Sequence, residues 1–262
     1  MSYETILFEV ADGVAKITLN RPNAANGMNL AMMQELHGAA IACDQDKAIR
    51  AVLITGAGKM FSAGGDLKAF EEAGDDVGLL LPQMTMFYHA AVSLLARMDA
   101  PVIMAVNGMA AGGGLSFALS GDLIYAAASA RFTMAYSAAG LSADGSSSYH
   151  LPRLVGLRRA KELMLTNRLL TAEEALGYNM IDRVIPDADL MAEAETQAKA
   201  FAQGPTGAYG EIKRLLAGTF GESLETQMEH EARSIVARAT SPDGREGIAA
   251  FIEKRKPVFT GE

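Results

Sequence analysis

At 262 residues, 50% of them hydrophobic, the chain can bury a sizeable core as one large domain or two small ones without disulfide staples. Its single cysteine, Cys43, excludes an intramolecular disulfide and reads as a small buried apolar side chain suited to a reducing cytoplasm. A net charge of -8 argues against a nucleic-acid partner, and the local cluster Arg153, Arg158, Arg159 and Lys161 reads as a solvated helix face.

The chain opens by alternating apolar and polar residues, with neither a basic leader nor an uninterrupted apolar stretch, so no secretory signal is expected. Ile6 to Val10 and Val14 to Leu19 alternate on either side of Asp12-Gly13, which predicts a β-hairpin. Met28 to Cys43 places Met28, Met32, Leu36 and Ala39 at helical spacing, and Ala51 to Thr55 is a short apolar run typical of a buried strand. A helix is expected over Gln83 to Arg97, then strands over Val102 to Val106 and Leu123 to Ala127. Beyond Pro152 helical patterns dominate, with caps predicted at Thr171, at Pro186-Asp187 and at Ser241-Pro242-Asp243. Ala100 to Gly121 carries no charge, but Pro101, Asn107-Gly108 and three successive glycines divide it into strand, turn and short helix; no membrane span is expected.

Two glycine-rich stretches each follow a predicted strand and lead into a helix: Phe61-Ser62-Ala63-Gly64-Gly65-Asp66-Leu67 and Asn107-Gly108-Met109-Ala110-Ala111-Gly112-Gly113-Gly114. Backbone N–H groups projecting from such turns can form the two halves of an oxyanion hole, because glycine lets the backbone approach a ligand closely. Other motifs fail. Thr55-Gly56-Ala57-Gly58-Lys59-Met60 has Leu53 where a phosphate loop needs its first glycine, and Met60 where it needs Ser or Thr. The glycine triplet lacks the later glycines of a dinucleotide turn. His37, His89, His150 and His230 are scattered without ligand spacing, so no metal is expected.

From Leu19-Asn20-Arg21-Pro22 to Ala250-Phe251-Ile252-Glu253-Lys254-Arg255 the sequence resembles the crotonase, or enoyl-CoA hydratase/isomerase, superfamily. The resemblance implies an α/β fold: a crotonase-like ββα spiral core over residues 1–200 holding an acyl-CoA site, then a C-terminal helical region over 201–262 that builds homotrimers or homohexamers. It also implies that the N–H groups of Gly65 and Gly113 bind a thioester oxygen. Ala24, Ala63 and Leu67 match CoA-contacting positions, and Phe251 and Lys254 match a pair that meets the nucleotide end of CoA. CoA would enter as part of the substrate, with no separate cofactor. Asp66 either fixes its turn through a local hydrogen bond or contacts the ligand.

Hydration in this family uses two glutamates, and the matching positions here are Ser116 and Tyr136. The carboxylate left in the acyl-pocket segment is Asp144, and Tyr136 is expected as a pocket wall. The segment from Gly140 to Gly156 resembles phenylacetate-pathway isomerases, in which an Asp moves a proton across the acyl chain. The same position is the nucleophile of chlorobenzoyl-CoA dehalogenases, whose partner histidine corresponds to His89. The resemblance therefore implies an isomerase with Asp144 as acid/base. A dehalogenase-like hydrolase using Asp144 and His89, an enoyl-CoA hydratase and a non-catalytic binding protein stand as alternatives.

Overall fold

The computed structural model describes residues 3–262. Strands β1 (Ile6–Ala11) and β2 (Val14–Leu19) pair antiparallel, and the two residues between them, Asp12 and Gly13, both take left-handed backbone angles, φ 53° and 76°. That geometry matches the twist of the strands it joins, so the Asp-Gly signal is realised as a two-residue hairpin. Helix α1 (Leu30–Gln45) starts two residues later than the periodicity implies, because the Asn29 side chain accepts from Met32 N at 3.0 Å and caps it. Met28 is left outside, where it bridges to Gly65.

Three strand-strand-helix turns follow. The first contains β3 (Ala51–Gly56), β4 (Met60–Ser62), α2 (Leu67–Ala73) and α3 (Val77–Arg97). The second contains β5 (Val102–Val106), β6 (Met109–Ala111) and α4 (Gly113–Ala118), and the third β7 (Leu123–Ala127), β8 (Arg131–Thr133) and α5 (Ser147–Val155). The first strand of each turn joins one sheet and the second strand joins another, which is the spiral implied by the resemblance. After α6 (Leu157–Thr166) come β9 (Leu170–Thr171), α7 (Ala172–Gly177) and β10 (Arg183–Ile185). The large sheet then runs β1-β2-β3-β5-β7-β10 and the small one β4-β6-β8-β9. From β2 to β10 every neighbouring pair in the large sheet is parallel, and β3 and β5 are buried along their whole length.

Helix α8 (Leu190–Ala202) lies across β3, β5 and β7 with Leu190, Ala194, Ala198 and Ala202 buried at four-residue spacing. It begins at Leu190, not at the Pro186-Asp187 cap expected from sequence; the Asp187 carboxylate instead accepts from Ser129 N at 3.0 Å. Helix α3 likewise starts six residues before Gln83. Pro82 lies inside it with no N–H to give to the previous turn, and that breaker hides the first turns from a sequence reading. The apolar stretch Leu67–Arg97 is long enough to cross a bilayer, yet it folds as α2, a 3₁₀ turn and α3, with Met84, Tyr88, Ala91, Val92 and Leu95 buried. Strands β9 and β10 lie past Pro152, where no strand is predicted, and are too short to show a period. The predicted caps at Thr171, a full capping box, and at Ser241 are both present. Cys43 is buried, which pushes its thiol up to about 12.

Helices α9 (Thr206–Gly218), α10 (Leu224–Ala239) and α11 (Pro242–Glu253) complete the chain. One lysine ties them to the spiral. Lys213 Nζ sits 2.7 Å from Asp122 Oδ2 and donates to the carbonyls of Leu95 and Ala100 at 3.0 Å each, while Asp122 Oδ2 accepts from Val102 N at 2.7 Å. Arg50 makes a second tie, donating to Gly204 O, Thr206 Oγ1 and Phe259 O. Replacing Lys213 by Met leaves the partly exposed Asp122 carboxylate and two carbonyls without their cation. Lys213→Met is expected to lose about 1 to 3 kcal/mol of stability, read as a lower urea midpoint at fixed protein concentration.

Candidate active site

The two glycine turns meet because β4 and β6 pair. Met60 lies beside Met109 and Ser62 beside Ala110, so the residues that follow each strand, Ala63 to Asp66 and Gly112 to Gly114, emerge side by side. Gly64 has φ 93°, and a Cβ there would fall 2.7 Å from Ala111 O and 2.8 Å from Gly113 N, so any side chain would force the turns apart. Gly64 O accepts from Met28 N at 2.7 Å and Asp66 N donates to Met28 O at 3.0 Å, stitching the first turn to the chain before α1. In the second turn Gly112 N donates to Thr133 O at 3.1 Å, and Gly112 O accepts from Ser116 N at 3.0 Å. Gly113 then opens α4, every residue of which is buried.

Neither Gly65 N nor Gly113 N has an acceptor among the described residues, and both glycines border one cavity of about 330 Å³. Two free amide donors side by side, one of them at a helix start, form a site for negative charge on an oxygen. Ala63, Leu67, Tyr136 and Asp144 border the same cavity. Met33, Phe70, Leu81 and Met84 complete its apolar wall. Sequence reading did not single these four out, although Leu81, Met84 and Tyr88 recur at the spacing of one helical face.

Asp144 is the cavity's only acidic residue and comes from the loop before α5. Its Oδ1 lies 2.5 Å from His89 Nε2 on α3, with the carboxylate side chain 33% and the imidazole 54% exposed. An ionised carboxylate cannot donate, so Nε2–H is then the donor, and Oδ2 has no partner among the described residues. The backbone here is held hard. Asp144 O accepts from the Tyr136 hydroxyl at 3.1 Å, Ser147 Oγ at 2.9 Å and Ser147 N at 3.3 Å. Gly145 follows with φ 61°, and a Cβ on it would overlap the Tyr88 ring.

Tyr88 is fully buried and its hydroxyl donates to Gly113 O at 2.6 Å, so one side chain touches both the oxyanion helix and the turn after Asp144. Burial pushes the Tyr88 hydroxyl well above its ordinary range. Tyr136 is pushed up to about 12, chiefly by burial, with the Ser116 hydrogen bond opposing and the Asp144 charge reinforcing. Both phenols therefore stay neutral donors at physiological pH.

Other candidates lie elsewhere. Asp66 caps α2 by accepting from Ala69 N at 3.3 Å, pairs with Arg21 at 2.7 Å, and does not border the cavity. Burial opposes its ionisation, but the Arg21 guanidinium and the amides of α2 outweigh it and hold its carboxyl below the usual range. Ala24 lies exposed in the 3₁₀ turn Pro22–Ala24, its carbonyl accepting from Gly27 N, away from the cavity lining. Phe251 and Lys254 are exposed on and just after α11 and do not border the cavity either.

A two-sheet ββα spiral whose paired turns present two free amides to an apolar cavity defines an acyl-CoA enzyme of the crotonase fold. The chain belongs to the enoyl-CoA hydratase/isomerase family, whose profile matches residues 9–262. It is 40% identical to 1,2-epoxyphenylacetyl-CoA isomerase of Escherichia coli K12, over 99% of both chains. It is 35% identical to 4-chlorobenzoyl coenzyme A dehalogenase-2 of an Arthrobacter species, over 95% of this chain and 91% of that one. The crystal structure of an enoyl-CoA hydratase from Bacillus anthracis superposes with a TM-score of 0.92 at 32% identity, covering 99% of this chain and 100% of that one.

Gly113→Pro removes one donor at the first position of α4, where no intrahelical hydrogen bond uses that N–H. Turnover of an acyl-CoA substrate is expected to fall about 10²- to 10³-fold with native far-UV circular dichroism; near-normal turnover in the folded variant would sink the oxyanion assignment.

Proposed function

We propose that the protein is an isomerase that moves a carbon–carbon double bond within an acyl-CoA thioester, with Asp144 as the acid/base. The observation that carries this reading is the single carboxylate facing the cavity that both donor amides border. The Asp144 carboxylate takes a proton from the α or γ carbon, and the electron pair runs through the conjugated system onto the thioester oxygen. Gly65 N–H and Gly113 N–H hold that oxyanion. Asp144, one third exposed and so able to exchange its acid proton with solvent, returns a proton to the other carbon, the oxyanion collapses to the thioester, and no water is consumed. Each donor contributes roughly 3 to 4 kcal/mol to lowering the barrier in sites of this kind, and one placed base about 10²- to 10⁴-fold.

Hydration would need a second carboxylate to activate water. The positions that carry the family's glutamates hold Ser116 and Tyr136, whose hydroxyls lie 2.9 Å apart and engage each other. A second reading rests on the half-exposed His89 beside Asp144 and on the likeness to the dehalogenase. There an Asp144 oxygen would add to a halogen-bearing aryl carbon, halide would leave, and water activated by His89 would cleave the resulting ester.

Enoyl, dienoyl and halogenated aryl CoA thioesters incubated in D₂O and read by mass spectrometry separate the two. Asp144→Asn is expected to lower double-bond migration and α or γ deuterium uptake at least about 10²-fold with CoA-thioester binding kept, and His89→Gln far less. Halide release, with a covalent ester on Asp144 that accumulates in His89→Gln, would replace the isomerase reading by the hydrolytic one.

We also propose that protomers assemble as trimers or pairs of trimers through α9 to α11. Leu216, Phe220, Leu224, Ile235, Val236 and Ile252 on and between these helices are exposed, more apolar surface than a lone soluble protomer ordinarily leaves bare. Phe251 and Lys254 would then lie close to the nucleotide end of CoA at the assembled interface. Light scattering at micromolar concentration is expected to give three or six times the protomer mass; a monomer mass overturns the assembly.

A further inference from the structure

The two donor amides are aimed by different means. Gly65 N–H shares its peptide with Gly64 C=O, which is held by Met28 N at 2.7 Å, a backbone bond independent of side-chain identity. Gly113 N–H shares its peptide with Gly112 C=O, which accepts from Ser116 N at 3.0 Å and from the Ser116 hydroxyl at 3.1 Å. In a trans peptide C=O and N–H point opposite ways. A donor on the carbonyl therefore fixes the direction of the amide proton and polarises the amide towards stronger donation.

The Ser116 hydroxyl lies 3.1 Å from Gly112 O and 2.9 Å from the Tyr136 hydroxyl; with its proton on Gly112 O, its oxygen accepts from Tyr136. The same phenol proton also faces Asp144 O at 3.1 Å. Ser116 is wholly buried, and burial keeps the Tyr136 phenol protonated. A chain of polar contacts thus runs from the segment that bears the base to the back of one oxyanion donor. Packing alone would ask only for side chains of this volume, and Ala and Phe would serve.

We propose that Ser116 and Tyr136 are positioning residues that aim and polarise the Gly113 N–H and tie it to the Asp144 backbone, so that one hydrogen-bonded chain sets both the oxyanion site and the base. The inference rests on the reading that Gly113 N–H receives the thioester oxygen. It assigns to two residues outside the reacting set a role in catalysis rather than in substrate affinity.

The test uses 3-phenylpropenoyl-CoA, a conjugated thioester with no γ hydrogen to move. Its bound carbonyl stretch is read by Raman difference spectroscopy in the wild-type protein, Ser116→Ala, Tyr136→Phe and the double variant, with the dissociation constant measured alongside. The wild-type carbonyl is expected to shift to lower frequency. Each single variant should lose a third or more of that shift, roughly, with affinity changed less than about threefold, and kcat on an isomerisable enoyl-CoA should fall about tenfold at similar KM. The double variant should lose little more than Ser116→Ala, because the two side chains act in series. A full wild-type shift in both single variants overturns the proposal while leaving the oxyanion reading intact; no shift in the wild-type protein overturns both.

Discussion

An amide proton catalyses only while its peptide plane is fixed, and the pairing of β4 with β6 is what fixes two of them at contact distance. These strands are three residues each, too short to hold together unaided. They are held because each follows a strand of the large sheet that is buried from end to end, so the deep parallel ladder of β3 and β5 sets the register of the shallow one. Met28 behind the first turn, Ser116 behind the second and Tyr88 beneath Gly113 then remove the remaining freedom. A donor that needs no reorganisation when charge appears on its acceptor is the main thing this fold supplies.

Much of this was legible in the sequence because it is written in residues with narrow uses. Asp12-Gly13 between alternating runs specifies a tight hairpin, and the two glycine stretches after apolar runs specify turns where backbone meets ligand. The resemblance to a known family then supplied Gly65, Gly113 and Asp144, and the structure places all three around one cavity. What could not be read was geometry carried by ordinary residues. Nothing in the sequence marks Phe70 and Met84 as pocket walls instead of core, nor shows that Tyr88 spans from Gly113 to Gly145. Asp66 illustrates the reverse case: adjacent to a donor glycine in sequence, it points into a cap and an ion pair with Arg21. Element boundaries failed where a local signal competed with a longer-range one, as at Pro82 inside α3 and at Asp187, which bonds Ser129 instead of starting a helix.

Because the hole is made of backbone, the side chains around it can change without dismantling it. Positions 89, 116, 136 and 144 all reach the cavity rim or the groups behind it, and here they carry an imidazole, two hydroxyls and one carboxylate. Swapping those four groups would alter which proton, nucleophile or water is available while the two free amides stayed in place. Relatives named for an isomerisation and for a dehalogenation are similar to this chain from end to end, as that division of labour allows.

The large sheet is closed by a long connection. Its last strand, β10, pairs with β7 at Tyr125, Ala126 and Ala127, and the whole stretch from 128 to 182 loops out between them. That excursion carries Tyr136, Asp144, α5 and α6. Long-range parallel pairing pays its loop-closure entropy before it gains its contacts, so such strands join slowly and after the local elements have formed. Asp144 itself is placed by nearer contacts: β8 pairs with β6, and the Asp144 carbonyl is held by Tyr136 and Ser147, so the loop that β10 closes is already anchored at its middle.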